Sequence, residues 1–186
     1  MYGLVNRAFE ELIVSRYGQE RWQSIKAEAG VDVDVFISNE PYAEEITYNL
    51  VGAATRTLDM PLRQLLLDFG QHWVLKTGLE HYGPLLRSGG STLKEFLVNL
   101  QHFHTRVQLF YPKLRPPSFS CSDVSEKSLK LHYMTHRPGL TDFVEGLVIG
   151  LGQLYETSVE VSLVQSRATG ADSDVFEVRW GSEVAS

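Results

Sequence analysis

The chain has 186 residues, 43% of them hydrophobic, enough for one globular domain with a sizeable core or one domain of two subdomains. Its 17 Lys and Arg against 23 Asp and Glu give a net charge of -6 without a basic cluster, which argues against a nucleic-acid partner, because a phosphate backbone rewards clustered cations. One cysteine, Cys121, rules out an internal disulfide or a cysteine-built zinc cluster within this sequence, and no stretch approaches the ~20 apolar residues of a membrane span.

The opening MYGLVNRAFEELIV carries Arg7, Glu10 and Glu11 inside its apolar pattern, unlike a signal peptide, so a cytoplasmic protein without membrane insertion is expected. Leu4, Val5, Ala8, Phe9, Leu12 and Ile13 recur at helical spacing and predict a helix over Tyr2–Tyr17, ending at Gly18. Gln19–Ala29 reads as a second helix, with Gly30 as its stop. Val31–Ile37 alternates like a strand but is read as a connector. Pro41 suits the first turn of a helix running to about Leu58. Asp59 is expected to cap the next helix, with Pro61 in its first turn and an end near Lys76. A short piece near Tyr82–Leu86 leads to Ser91–Tyr111, which reads as one long helix.

Beyond that helix Pro112, Pro116 and Pro117 break the pattern. Ser118–Ser122 and Ser128–Thr135 then read as strands, Gly139–Tyr155 as a helix, and Ser158–Gln165 with Asp174–Trp180 as a hairpin. The expected class is α+β: a helical N-terminal subdomain, about residues 1–60, packed on a C-terminal one, about 61–181, with an antiparallel sheet and helices. Residues 182–186 form a tail. Gly146, Gly150 and Gly152 do not follow a strand, so they are no dinucleotide fingerprint; they are expected to allow close packing against something flat or bulky. Asp68-Phe69-Gly70 lacks the companion motifs of a kinase, Asp32 and Asp34 lack the rest of a calcium loop, and Cys121 has no evident activating base.

Two patterns carry chemistry. On the long helix Leu97, Leu100, His104, Val107 and Tyr111 share one face, whereas His102 is rotated about 200° away and looks outward. An imidazole in a core-facing stripe needs a partner, which is either a backbone carbonyl or a metal. In His132–Leu140, HYMTHRPGL, the pattern Y-x-T-x-R places Tyr133, Thr135 and Arg137 on one face of a strand. Two hydroxyls and a guanidinium can grip carboxylates, or can simply form a wet strand face.

Together these features resemble the H-NOX family, the haem nitric oxide/oxygen binding domains of bacteria and of the soluble guanylate cyclase beta subunit. The opening MYGLVN, the run Tyr48-Asn49-Leu50-Val51-Gly52-Ala53-Ala54, EFLVNLQHFH, LRPPSF at Leu114–Phe119, HYMTHRPGL and the final hairpin carry the resemblance over essentially the whole chain. It implies a haem b (iron protoporphyrin IX) buried between the subdomains, with His104 as proximal ligand to a ferrous iron. Tyr133, Thr135 and Arg137 would hold the propionates, Thr135 standing where the family usually has serine. Pro117 would press on and distort the haem, and Glu44 would orient Arg137. Val5, Trp73, Phe143 and Leu147 would wall the distal pocket, with Phe143 where oxygen-binding members place a tyrosine.

The resemblance thus implies a gas sensor for nitric oxide and carbon monoxide. Nitric oxide would weaken or break the proximal His104 bond and signal to a partner in trans, a histidine kinase or diguanylate cyclase. An oxygen-binding or general gas-carrying haem protein is the alternative. A haem enzyme would need distal acid–base groups, and none is assignable to that wall.

Overall fold

The computed structural model describes residues 1–111 and 115–181; Pro112, Leu114 and the tail 182–186 lie outside them. Four helices build the first part: α1 (Gly3–Tyr17), α2 (Gln19–Ala29), α3 (Glu44–Thr57) and α4 (Leu62–His72). Their apolar faces bury Phe9, Leu12, Ile13, Trp22, Ile25, Leu50 and Leu65 in one core. Segment 31–40 forms no strand, as expected of a connector. Pro41 stands outside the helix it was expected to start, because it pairs with Tyr2 in an isolated bridge and α3 begins three residues later. Asp59 caps nothing: it takes a left-handed conformation, φ 49°, and Pro61 holds the cap position of α4.

The predicted run to Lys76 changes character at Trp73. A π-helix, Trp73–Gly78, continues α4 and passes into α5 (Leu79–Arg87). Such widened turns recur at functional positions. Tyr82 leaves the helical region inside α5, φ −129° and ψ 15°, two residues before Pro84, whose ring and missing N–H disfavour a continuous helix. The long helix expected over Ser91–Tyr111 is two: α6 (Leu93–Val98) and α7 (Leu100–Phe110). Thr92 caps α6 by accepting from the Glu95 amide at 3.2 Å. Asn99 breaks the run because its side chain donates instead to the Gly89 carbonyl at 3.0 Å.

The second core forms where helices α5 to α8 cover one face of a four-stranded antiparallel sheet. Its order is β1-β2-β4-β3, from β1 (Ser118–Ser122), β2 (Ser128–Met134), β3 (Val159–Gln165) and β4 (Asp174–Trp180). Helix α8 (Thr141–Leu154) packs on both the sheet and α4. The glycines meet the chain itself: a Cβ on Gly146 would fall 2.3 Å from the Leu67 carbonyl oxygen, and one on Gly70 2.3 Å from that of Phe143. Backbone therefore touches backbone where α4 and α8 cross, which sets Phe143 against Phe69 and Trp73. Arg63 of α4 clamps the crossing with a bidentate pair to Glu145 of α8, at 2.8 and 3.0 Å. The result is an α+β fold of two cores.

Candidate functional site

A cavity of about 400 Å³ lies between the cores, within the usual range of small-molecule sites. Its walls come from α1, α3, α4, the π-helix, α7, α8, the segment before β1 and the end of β2. Nine of the residues singled out in the sequence line it, Val5, Trp73, His104, Pro117, Tyr133, Thr135, Arg137, Phe143 and Leu147, while Glu44 does not. A smaller space of about 80 Å³ adjoins it and shares Trp73, Tyr82, Phe103, His104 and Phe119.

His104 reaches the cavity from α7, while His102 is exposed on the opposite side. The His104 ring stacks on Phe119 of β1 and meets Phe103 edge-on. Its Nδ1 lies 3.1 Å from the Leu100 carbonyl oxygen. A carbonyl only accepts, so Nδ1 carries the proton and Nε2 keeps the lone pair. Burial lowers the imidazole pKa from its ordinary value, more than the Leu100 bond raises it, so the ring is neutral. A neutral imidazole with a fixed tautomer and a basic nitrogen at an apolar cavity has the make-up of a metal ligand. The carbonyl partner and the metal-ligand role are thus compatible, through different nitrogens.

The polar end gathers Tyr133, Thr135 and Arg137, though not on one strand face as the alternation suggested. Tyr133 is in β2, which stops at Met134; Thr135 and Arg137 follow in a loop. What aligns them is local hydrogen bonding: the Arg137 amide donates to Thr135 Oγ1 at 3.1 Å. Arg137 Nε donates to Glu44 at 2.7 Å, and its Nη1 to the Arg115 carbonyl at 3.0 Å. Burial works against the Glu44 carboxylate, but the Arg137 guanidinium outweighs it and holds the carboxyl below its ordinary value. Glu44 therefore fixes the guanidinium beside the cavity mouth, in the orienting position expected for it.

The opposite wall is apolar and aromatic. Phe143 lies 5.0 Å from Phe69 and 6.5 Å from Trp73, centroid to centroid. Phe143 offers no donor, and Trp73 offers one indole N–H. Sequence reading passed over Tyr48 and Tyr82, which also line the cavity. Tyr82 carries a phenol hydrogen-bonded to Tyr111, and burial raises its pKa. Tyr111 shared the His104 stripe and was visible there; Tyr82 sits at an irregular turn that helical periodicity does not register. Cys121 is half-buried, its thiol pushed up to about 11 by burial, which leaves it a weak nucleophile. Among the described residues no cluster of His, Cys, Asp and Glu could hold a metal ion. A metal at this site would thus enter on a single side-chain ligand, as part of a larger group.

A flat acidic macrocycle with a central metal fits these residues: one imidazole facing an apolar slot, and a Tyr–Thr–Arg set at one end. Comparison with known proteins agrees. Residues 2–163 match the family model described as "Haem-NO-binding". The soluble guanylate cyclase gcy-31 of Caenorhabditis elegans is 30% identical over 165 residues, 88% of this chain but 24% of that protein. The rat guanylate cyclase soluble subunit beta-2 is 28% identical over 104 residues, 55% of this chain and 15% of its own. The chain thus spans about a quarter or less of the curated relatives it matches. The fold matches the crystal structure of an H-NOX protein from S. oneidensis in the Fe(II)NO ligation state, with TM-score 0.88 and 20% identity over 98% of this chain and 100% of that one. It also matches the Fe(II) unliganded H-NOX protein from K. algicida, at TM-score 0.85 and 20% identity with full coverage of both chains. Among the described residues no helix is long and apolar enough to cross a membrane.

Proposed function

This chain belongs to the haem-NO-binding family, and on that premise we propose that it is a gas sensor which binds nitric oxide, and carbon monoxide, at haem b and reports to a partner protein. One observation carries this: a neutral imidazole of fixed tautomer and a Tyr–Thr–Arg set border the same apolar cavity. Haem, when bound, would supply the ferrous iron that takes the gas. His104 Nε2 would ligate it on the proximal side. Tyr133, Thr135 and Arg137 would bind the two propionates, with Arg137 held in place by Glu44. Pro117 would press on the macrocycle, and Val5, Trp73, Phe143 and Leu147 would wall its other face.

That wall sets the selectivity. A ferrous haem held here would take oxygen well only beside a hydrogen-bond donor, whereas nitric oxide and carbon monoxide would need one far less. Phe143 provides none. The oxygen-carrier reading draws its support from the indole N–H of Trp73 at the same cavity.

His104 is the moving part of the switch. Its ring is tied to α7 through Leu100 and packed between Phe103 and Phe119, so a cofactor held at its Nε2 would be coupled to α7 as a body. Helix α7 in turn is docked on β1, where Gln101 Oε1 accepts from the Phe119 amide at 2.8 Å. A partner reads the change only if it binds the two states with different affinity. A histidine kinase or diguanylate cyclase in trans is the proposed receiver, and the chain is a sensor, not an enzyme.

The test is spectroscopic. The reduced, haem-loaded protein is examined in air and under nitric oxide. A ferrous spectrum unchanged in air and altered by nitric oxide is expected. An air-stable spectral change due to oxygen would favour the carrier.

A further inference from the structure

Tyr48 lines the cavity and is not among the residues assigned to the cofactor. It lies one turn after Glu44 and one turn before Gly52 on α3, so the three share a face. Its hydroxyl donates to the Pro138 carbonyl oxygen at 3.1 Å, across 90 residues of chain. Pro138 opens the turn Gly139–Leu140, and both of those residues line the cavity with Tyr48 and Gly52. Among the described lining residues only Leu62, at the start of α4, and Gly139 are exposed, so at Gly139 the cavity wall itself meets solvent.

Residues 135–140 belong to no helix or strand, since β2 ends at Met134 and α8 starts at Thr141. Among the described residues, side chains tie this loop to α3 in three ways. Arg137 pairs with Glu44 at 2.7 Å, His136 approaches Glu44 at 3.8 Å, and Tyr48 bonds to Pro138. The first two meet at the carboxylate that orients Arg137, a residue the cofactor itself would engage. The Tyr48–Pro138 bond joins a phenol and a backbone carbonyl outside the Tyr133, Thr135 and Arg137 set. It can hold the loop shut whether or not Arg137 is engaged.

We propose that Tyr48 is the latch of the cavity mouth, a positioning residue whose hydroxyl holds the 135–140 loop against α3 and slows escape of the cofactor. This rests on the haem reading given above. Release of the macrocycle at this side requires the loop to lift from α3, and so requires the Tyr48 bond to open.

The experiment is haem transfer from the loaded protein to an excess of apomyoglobin, followed by absorbance. Tyr48→Phe removes only the hydroxyl and is expected to speed transfer about fivefold, the size of one modest hydrogen bond. Tyr155→Phe is the control: its hydroxyl also donates to a carbonyl, that of Gly90 at 3.1 Å, but Tyr155 does not line the cavity. It should transfer haem at the wild-type rate. Equal rates for wild type and Tyr48→Phe, or equal acceleration in Tyr155→Phe, would overturn the latch while leaving the haem reading intact. A wild-type chain that takes up no haem would overturn both. Amide exchange at Gly139 and Leu140 in the haem-free chains reads the latch without the cofactor: Tyr48→Phe should exchange faster, and equal exchange would count against it.

Discussion

The imidazole of His104 lies stacked on the ring of Phe119, with centroids 5.2 Å apart and planes inclined by 24°. Phe119 is only 6% exposed, and its amide is the group that docks on Gln101 of α7. One residue therefore packs the ligand ring and anchors the helix that carries it. Phe119→Ala should cost about 3 kcal/mol of stability, the usual toll of deleting a buried ring. Urea unfolding of the haem-free chain checks this; a loss below about 1 kcal/mol, the scale of an ordinary mutation, would mean the stack bears little weight.

Phe143→Tyr places a phenol on the apolar wall where the present side chain has no donor. Oxygen affinity of the reduced, haem-loaded variant should rise, measured by spectra under graded oxygen. No change would show that position 143 does not face the bound gas.

Gly146→Ala should destabilise by about 1–3 kcal/mol, because its methyl would press on the Leu67 carbonyl and Cα at 2.3 and 2.9 Å, and α4 could yield only by parting from α8. Gly52→Ala is the contrast. Its methyl meets only a flexible Arg56 end at 3.6 Å, and alanine favours a helix, so that variant should be neutral or slightly stabilised. Thermal unfolding of the two separates crowding from propensity.

Burial, with smaller help from Arg16 and Lys76, lowers the pKa of His72, and its buried Nε2 has no hydrogen-bond partner among the described residues. The folded chain therefore binds this proton less readily than the unfolded chain, whose imidazole titrates near 6.5. Stability should be full above that value and fall as pH drops below it, levelling off once pH is below the folded pKa. Urea midpoints at pH 7.5 and 5.5 should differ less for His72→Gln than for wild type. Equal differences would place the acid sensitivity elsewhere.

Much of this was legible in the sequence, where residues follow a period. The α2 bounds came from its flanking glycines, the hairpin from alternation around a polar turn, and the inward turn of His104 from spacing. What spacing could not show was where local polar bonds override it. Asn99 breaks a run of good helical residues by bonding to Gly89, and Thr135 bends the chain after β2 by accepting from Arg137. The π-helix at Trp73–Gly78 has no periodic signature, yet it shapes the wall that Trp73 contributes. The glycines of α8 were recognisable as packing residues, but Gly146 and Gly150 pack on Leu67, Gln71 and Val74 and Gly152 on Thr157 and Val159 of the same chain, and contacts between distant elements are written in no local pattern. Tyr48 escaped notice for a similar reason: its bond to Pro138 exists only once α3 and the loop before α8 are brought together.

The central claim is that His104 Nε2 holds the cofactor. Its most direct test is haem content, read from the visible spectrum of purified His104→Gly with and without imidazole in the medium. Removal of the ring takes away the one basic nitrogen facing the cavity from α7 but leaves the Tyr133, Thr135 and Arg137 set in place. The predicted result is loss of bound haem without imidazole and its recovery when imidazole fills the vacated space. Wild-type haem content in His104→Gly without added imidazole would contradict the account.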